Sequence, residues 1–199
     1  RAGYETQVSM RRFMDAAEAE RATLRARLEE LGGRVLMGPD HMEGVGHMAM
    51  VTDPQGAPFY LIQTEGEASQ SFARYEARQG HCAWNELVTD DPAAAGAFYS
   101  ALVGWEKGEC MDMGEMGPYQ MYAAGDYTLG AMMKRPDAMP VSLWCYYFRV
   151  PDIDAAQETV ERQGGQVVNG PMEIPGGEFV LQGVDPQGAM FSLIGKRGE

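Results

Sequence analysis

An acidic side chain beside an aromatic ring is the first feature of this sequence that could do chemistry. Glu86 lies two positions after Trp84 on a predicted strand, so both side chains point to the same face. Burial beside the ring would raise the pKa of the Glu86 carboxyl and suit it to general base catalysis. The alternative is an ion pair with Arg149 on another predicted strand, and we favour this pairing over catalysis.

Cys145 and the three histidines are the other side chains that could react or bind a metal. No histidine is close to Cys145 in sequence to activate it as a nucleophile, so we expect a small buried residue there. His41 and His47 flank a glycine-rich turn and could chelate a metal. The internal repeat described below does not preserve them, which favours two surface histidines, and His81 is also expected to be exposed.

The composition is that of a globular chain with an acidic surface. The 199 residues are 45% hydrophobic and 23% charged, and the formal net charge is −13. This charge opposes binding to nucleic acids and to anionic membranes, and it favours a cationic or neutral small ligand. The three cysteines are too scattered for a disulfide framework, and neither a membrane span nor a signal peptide is evident. We therefore expect a cytoplasmic protein with no nucleic-acid or membrane partner.

An internal repeat determines where these residues lie. The sequence Asp-Pro-Gln-Gly at 53–56 recurs at 185–188, and the Gly-Gly pair at 32–33 recurs at 164–165 with the same offset. Apolar spacing, helix caps and turn sequences predict the order strand, helix, strand, strand, strand around these markers. Three such βαβββ modules account for the chain, which predicts an α+β fold.

The predicted helices cover residues 15–31, 91–103 and 152–163. The predicted strands cover residues 4–10, 34–39, 46–52, 57–63, 81–89, 105–111, 118–124, 127–133, 143–150, 166–173, 178–184 and 189–194.

A polar stretch separates the first module from the other two. Residues 64–80 have the composition of a linker, with Phe72 and Tyr75 expected to hold it against a surface. Residues 1–63 then form an incomplete first domain of one module, and residues 81–199 form a complete second domain of two modules. A lone module leaves a sheet face and an edge open, so we expect a homodimer or an upstream partner module.

The segment 91–105 carries a resemblance to a known family. It reads Asp-x-x-Ala-Ala-x-x-Phe-Tyr-x-x-Leu-x-Gly-Trp, and the last module ends with Asp-Pro-x-Gly-x-x-Phe. Together with the paired βαβββ modules, these motifs resemble the vicinal oxygen chelate superfamily, which includes glyoxalase I, extradiol dioxygenases and bleomycin resistance proteins. The resemblance implies cupped mixed sheets with helices on the outer face. It is most similar to tandem two-domain members with four modules, which implies that this chain is one module short at its N-terminus.

The same resemblance implies positions for a metal. Metal-dependent members hold a divalent ion with His, Gln or Glu from the first and last strands of their modules. The matching positions here are Trp84, Cys145 and Ser192, with Tyr60 in the first copy. These side chains lack the charge and the ligand types that a divalent cation needs. We therefore expect no metal and no cofactor.

The sequence thus predicts an aromatic, metal-free cup that binds a small organic molecule, in the manner of bleomycin resistance proteins and without catalysis. Strand alternation predicts that one face carries the candidate ligand-binding residues, which are Trp84, Glu86, Cys145, Tyr147, Arg149, Met190 and Ser192. Trp84 beside Glu86 suits a cation or a flat ring. Core packing is an equal alternative for Trp84, and Trp144 is expected in the core behind the sheet.

Two other functions stay open. One is a metal-dependent enzyme of the glyoxalase or dioxygenase type, with ligands from unexpected positions such as Glu86 with His81 or Glu178. The other is an interaction protein whose cup is filled by its own side chains. Stoichiometric metal binding would distinguish the enzyme from the binding protein.

Overall fold

The computed structural model describes residues 18–65 and 70–198, which form three α-helices and eleven β-strands in two sheets. Within these ranges no helix is both long and apolar enough to span a membrane. The predicted strand at 4–10 and the first residues of the predicted helix at 15–31 lie outside the described residues.

The helices are α1 (residues 18–30), α2 (Pro92–Val103) and α3 (Ile153–Arg162). The strands are β1 (Arg34–Met42), β2 (Gly46–Thr52), β3 (Pro58–Thr64), β4 (Cys82–Thr89), β5 (Glu106–Asp112), β6 (Pro118–Ala124), β7 (Tyr127–Lys134), β8 (Leu143–Arg149), β9 (Gln166–Ile174), β10 (Glu178–Val184) and β11 (Met190–Gly195).

The two complete βαβββ modules share one mixed sheet. Its strand order is β5-β6-β7-β4-β8-β11-β10-β9, while β1, β2 and β3 form a separate antiparallel sheet. The first strands of the two modules, β4 and β8, pair antiparallel at the centre of the large sheet. Each is flanked by the last strand of its own module in parallel, β7 and β11 respectively. The predicted α+β class and the module order are confirmed.

Helix α2 illustrates why the elements form where the sequence predicts them. The Asp91 side chain accepts the N–H groups of Ala93 and Ala94, and Pro92 occupies the first turn, where no N–H is needed. Gly104 ends the helix with φ 74°, a left-handed conformation that glycine adopts without strain. Asp152 caps α3 in the same way.

Helix α2 lies in the main core, between the two sheets. Its Phe98 and Tyr99 rings contact Phe59 of β3 on one side, and Tyr99 packs edge-on against Trp144 of β8 on the other. The Trp144 indole N–H also donates to the Tyr99 hydroxyl at 3.0 Å. The predicted core position of Trp144, behind the sheet, is confirmed.

The described part of the predicted linker is attached to the large sheet. Phe72 forms a parallel bridge with Cys82, at the start of β4. The Phe72 and Tyr75 rings both pack edge-on against Tyr127, with centroid distances of 5.7 and 5.0 Å. The expectation that these two aromatic residues hold the segment against a surface is confirmed.

Candidate functional site

One face of the large sheet carries the residues that the sequence analysis selected. Strand pairing places Glu86 opposite Cys145 and Trp84 opposite Tyr147, and Ser192 lies beside Tyr147 on β11. Because side chains alternate along each strand, this face is opposite the one covered by α2. We call it the cup face.

Glu86 lies at the centre of a hydrogen-bond chain across the cup face. Its Oε2 accepts the Tyr119 hydroxyl at 2.8 Å, and its Oε1 accepts the Tyr147 hydroxyl at 3.0 Å. Tyr119 in turn accepts the Trp84 indole N–H at 2.7 Å, and Tyr147 accepts the Gln182 amide at 2.8 Å. Both carboxylate oxygens are therefore satisfied by tyrosines.

Burial controls the protonation equilibria along this hydrogen-bond chain. Glu86 is 7% exposed, and desolvation raises the pKa of its carboxyl, while the hydrogen bonds from Tyr119 and Tyr147 oppose this rise. The pKa values of both tyrosines are raised, first by burial and then by the negative charge of Glu86. The tyrosines therefore act as neutral donors to a carboxyl that protonates more readily than an exposed glutamate.

The expected ion pair between Glu86 and Arg149 is wrong. Arg149 instead pairs through Nη1 and Nη2 with the carboxylate of Glu178, and its side chain is only 11% exposed. The reason is position, because Arg149 ends β8 and lies beside Ile194 of β11, whose neighbour across the sheet is Val180 of β10. Glu178 lies two residues before Val180 on the same face.

Arg74 is a cup-face contact that the sequence analysis did not identify. Its guanidinium carbon lies 4.1 Å from the centroid of the Trp84 ring, and the Trp84 and Tyr119 rings lie nearly parallel at 6.5 Å. Arg74 comes from the predicted linker, where nothing in the local sequence indicates a partner. Tyr119 was also missed. Alternation on the predicted strand 118–124 puts it on the same face as Met121, and the structure shows that this is the cup face, since Met121 pairs with Ala131, the neighbour of Glu86.

The remaining predicted site residues differ in accessibility. Cys145 and Ser192 are buried, whereas Met190 is 46% exposed. Burial raises the pKa of the Cys145 thiol to about 12, which suppresses the thiolate and fits the expected packing role. Cys145 belongs to an apolar cluster with Val88 and Ile194, so part of the cup face is filled by the protein itself.

The donor set of the cup face does not fit a divalent metal. Across residues 18–65 and 70–198, no three His, Cys, Asp or Glu side chains converge in a way that could hold an ion. The alternative ligands proposed from sequence have other partners: Glu178 binds Arg149, and His81 contacts the Gln79 carbonyl at 3.0 Å. A metal site built from Glu86 with these residues is therefore not assembled.

His41 and His47 face each other across β1 and β2, with ring centroids 4.9 Å apart. His41 Nε2 lies 2.8 Å from a carboxylate oxygen of Glu65, in an exposed pair. These histidines belong to the small sheet, not to the cup face.

Comparisons with known proteins agree with this fold. The sequence-family model of the Glyoxalase/Bleomycin resistance protein/Dioxygenase superfamily matches residues 78–193. "Putative glyoxylase CFP32" of Mycobacterium bovis is 36% identical over 164 residues, which cover 82% of this chain and 61% of that protein. "Anthracycline biosynthesis protein DauV" of Streptomyces sp. (strain C5) is 33% identical over 176 residues, which cover 86% and 60%. The chain thus spans about three fifths of the length of these relatives.

A solved structure supports the architecture. The 2,2',3-trihydroxybiphenyl 1,2-dioxygenase of Sphingomonas wittichii strain RW1 superposes with a TM-score of 0.62 at 12% identity, covering 89% of this chain and 66% of the dioxygenase. At this identity the likeness concerns the fold. With the family model matching across both complete modules, the chain belongs to the glyoxalase/bleomycin resistance protein/dioxygenase superfamily.

Proposed function

We propose that this protein binds a small, flat organic molecule at the cup face of the large sheet, without a metal. The observation that carries the proposal is the hydrogen-bond chain Trp84–Tyr119–Glu86–Tyr147–Gln182, set in a wall of aromatic and apolar side chains. Small-molecule sites are typically concave and mostly apolar, with a few polar groups that fix orientation.

The side chains around Glu86 favour a flat ring as the ligand. Trp84 and Tyr119 are half-buried aromatic residues, whereas Tyr147 is buried, and Met121 lies beside Ala131, the neighbour of Glu86 on β7. Methionine adapts its shape to irregular ligands. A relative named for anthracycline biosynthesis is consistent with a flat, fused-ring ligand, since anthracyclines have that shape.

The polar centre of the site favours a ligand with a carbonyl or hydroxyl oxygen. The pKa of Glu86 is raised by burial, and its carboxyl can donate a hydrogen bond to a carbonyl oxygen when protonated or accept one from a hydroxyl when ionised. The Tyr119 and Tyr147 hydroxyls can exchange their bond to Glu86 for one to such a ligand. These are binding and orienting roles.

The binding test uses 2-naphthol as a flat neutral probe and cyclohexanol as its non-aromatic counterpart, both titrated by calorimetry. We expect 2-naphthol to bind and Trp84→Leu to weaken its binding at least about tenfold, because aromatic contact and apolar burial are lost together. Tyr146→Leu is the matched control, since it removes a 44% exposed ring from the other face of the same sheet. Equal losses in the two variants, or no binding of 2-naphthol, would refute the proposal.

The metal-free part of the proposal has its own test. The purified protein is incubated with Zn, Ni, Mn or Fe(II), dialysed, and assayed by elemental analysis. We expect retention far below one ion per chain because the donor groups do not converge. Near-stoichiometric retention that Glu86→Gln abolishes would instead support the metal-dependent enzyme.

A further inference from the structure

Arg74 covers the ring face at which the sequence analysis expected a cationic ligand. Its guanidinium lies over the Trp84 ring with 4.1 Å between the guanidinium carbon and the ring centroid. A cation stacked on an indole gains from the ring quadrupole, and the protein makes this contact with its own residue. A second cation there would meet both an occupied ring face and a like charge.

The position of Arg74 is fixed by its backbone. Its N–H donates to the Tyr127 hydroxyl at 3.0 Å, and the preceding Ala73, 3% exposed, donates its N–H to the Cys82 carbonyl at 2.8 Å. Phe72 continues this attachment with its bridge to Cys82. Arg74 is therefore held at the cup by an ordered segment that pairs with the start of β4.

The guanidinium of Arg74 also lies 5.4 Å from the centroid of the Tyr75 ring, and one of its donors is not used by the described residues. Its Nε is buried without a hydrogen-bond partner, and no carboxylate in residues 18–65 or 70–198 lies within ion-pair distance. By contrast, Arg149 pairs with Glu178, and Arg78 lies 3.6 Å from Glu76. The nearby acid on the cup face, Glu86, is occupied by its two tyrosines.

We infer that Arg74 is the specificity-determining residue of the cup and selects a flat-ring ligand that carries an anionic oxygen, such as an aryl carboxylate. The planar, always-charged guanidinium matches a carboxylate with parallel N–H donors. The inference rests on the proposed function, because it concerns a ligand in the same cup. It replaces the cationic ligand expected from the net charge, which describes the whole surface and not this site.

Both oxygens of the Glu86 carboxyl accept hydrogen bonds from tyrosine hydroxyls, so neither is left without a donor on the cup face. Its pKa is raised by burial, so its protonated form is more readily available, and its negative charge is shared with two donating hydroxyls. The cup face therefore holds one guanidinium without a carboxylate partner among the described residues, and one carboxyl whose two oxygens accept hydrogen bonds from tyrosines.

The test compares three naphthalene probes that differ in charge, namely 2-naphthoate, 2-naphthol and 2-naphthylmethylammonium, by calorimetry at neutral pH. In the wild type we expect 2-naphthoate to bind at least about tenfold tighter than the ammonium probe, as a charge-assisted hydrogen bond predicts. Arg74→Gln should abolish this preference, whereas Arg74→Lys should keep part of it. Arg78→Gln, an equal charge change on the same segment, should leave the preference unchanged.

The outcomes separate the two proposals. Thermal unfolding of each variant establishes that it is folded before the titration. If 2-naphthol binds but Arg74→Gln retains the preference for 2-naphthoate, or if the wild type prefers the ammonium probe, the assignment of Arg74 is wrong and the cup remains a ligand site. If none of the three probes binds the wild type, the proposed function fails, and the inference fails with it.

Discussion

Glu86 is a residue whose surroundings act on its pKa in opposite directions. Burial raises the pKa, the two tyrosine hydroxyls lower it, and burial is the larger effect. For an acid whose pKa is higher in the folded than in the unfolded protein, ionisation costs folding free energy. The stability of the fold should therefore decrease as pH rises from the unfolded pKa to the folded pKa of Glu86.

Glu86→Gln should remove this pH dependence. The free energy of unfolding of the variant, minus that of the wild type, should increase between pH values near the ordinary glutamate pKa and neutrality, by about 1.4 kcal/mol for each unit of pKa difference. Urea unfolding at a series of pH values measures this quantity. Glu158→Gln, at an exposed position of α3, is the control with the same charge change. A difference that stays constant with pH would contradict the prediction.

At the scale of elements, the Tyr122 side chain of β6 reaches α2 at Gly96 and leaves no room there for a Cβ. A Cβ on Gly96 would overlap the Tyr122 hydroxyl, while that hydroxyl is buried and has no hydrogen-bond partner among the described residues. Helix propensity alone favours alanine over glycine by about 1 kcal/mol. Steric overlap in a packed core acts in the opposite direction and costs about 1–3 kcal/mol.

Gly96→Ala should therefore destabilise the protein in spite of its better helix propensity. Adding Tyr122→Phe to this variant should restore part of the lost stability. Tyr122→Phe alone should be neutral or stabilising, because it removes an unsatisfied buried hydroxyl. Urea unfolding of the two single variants and the double variant gives the coupling energy directly. A stabilised Gly96→Ala would show that helix propensity outweighs the contact.

The two Asp-Pro-Gln-Gly turns offer a comparison of one motif in two environments. Asp53 accepts the N–H groups of Gln55 and Ala57, and Asp185 accepts the equivalent pair at Gln187 and Ala189. Asp53 is 1% exposed, beneath α2, and also accepts the Tyr99 hydroxyl at 3.4 Å, whereas Asp185 is half-buried.

Asp53→Ala should lower the free energy of unfolding by about 2–3 kcal/mol and Asp185→Ala by about 1 kcal/mol. The reason is that the backbone N–H groups left without an acceptor are buried at the first turn and can bond to water at the second. Chemical unfolding of the two variants under identical conditions measures both values. Equal losses would mean that the turn geometry alone, and not its burial, sets the contribution of the aspartate.

These elements also show what a sequence can predict. The bounds of α2 were predictable because Asp91, Pro92 and Gly104 act on their own backbone neighbours. The partner of Arg149 was not predictable, because Glu178 comes close to it only when β8, β11 and β10 lie side by side in that order. Arg74 was missed for the same reason, since its contact with Trp84 depends on how the preceding segment pairs with β4.

For the whole molecule, the small sheet presents an apolar face away from α1. Strand pairing aligns Met48 with Ile62 and Met50 with Tyr60, and Tyr60 and Ile62 are 56% and 50% exposed. The opposite face packs into the main core through Val51 and its neighbours. A two-fold axis would let the same face of two chains cover each other.

We predict that the isolated chain associates reversibly into a dimer through this face of the small sheet. Sedimentation equilibrium from low micromolar to several hundred micromolar protein should show a mass that increases with concentration. Tyr60→Lys should shift the equilibrium to the monomer, because it would bury a charge without a partner. Val168→Lys, at a 55% exposed apolar position of β9, is the control and should dimerise as the wild type does. A monomer at every concentration would contradict this pairing.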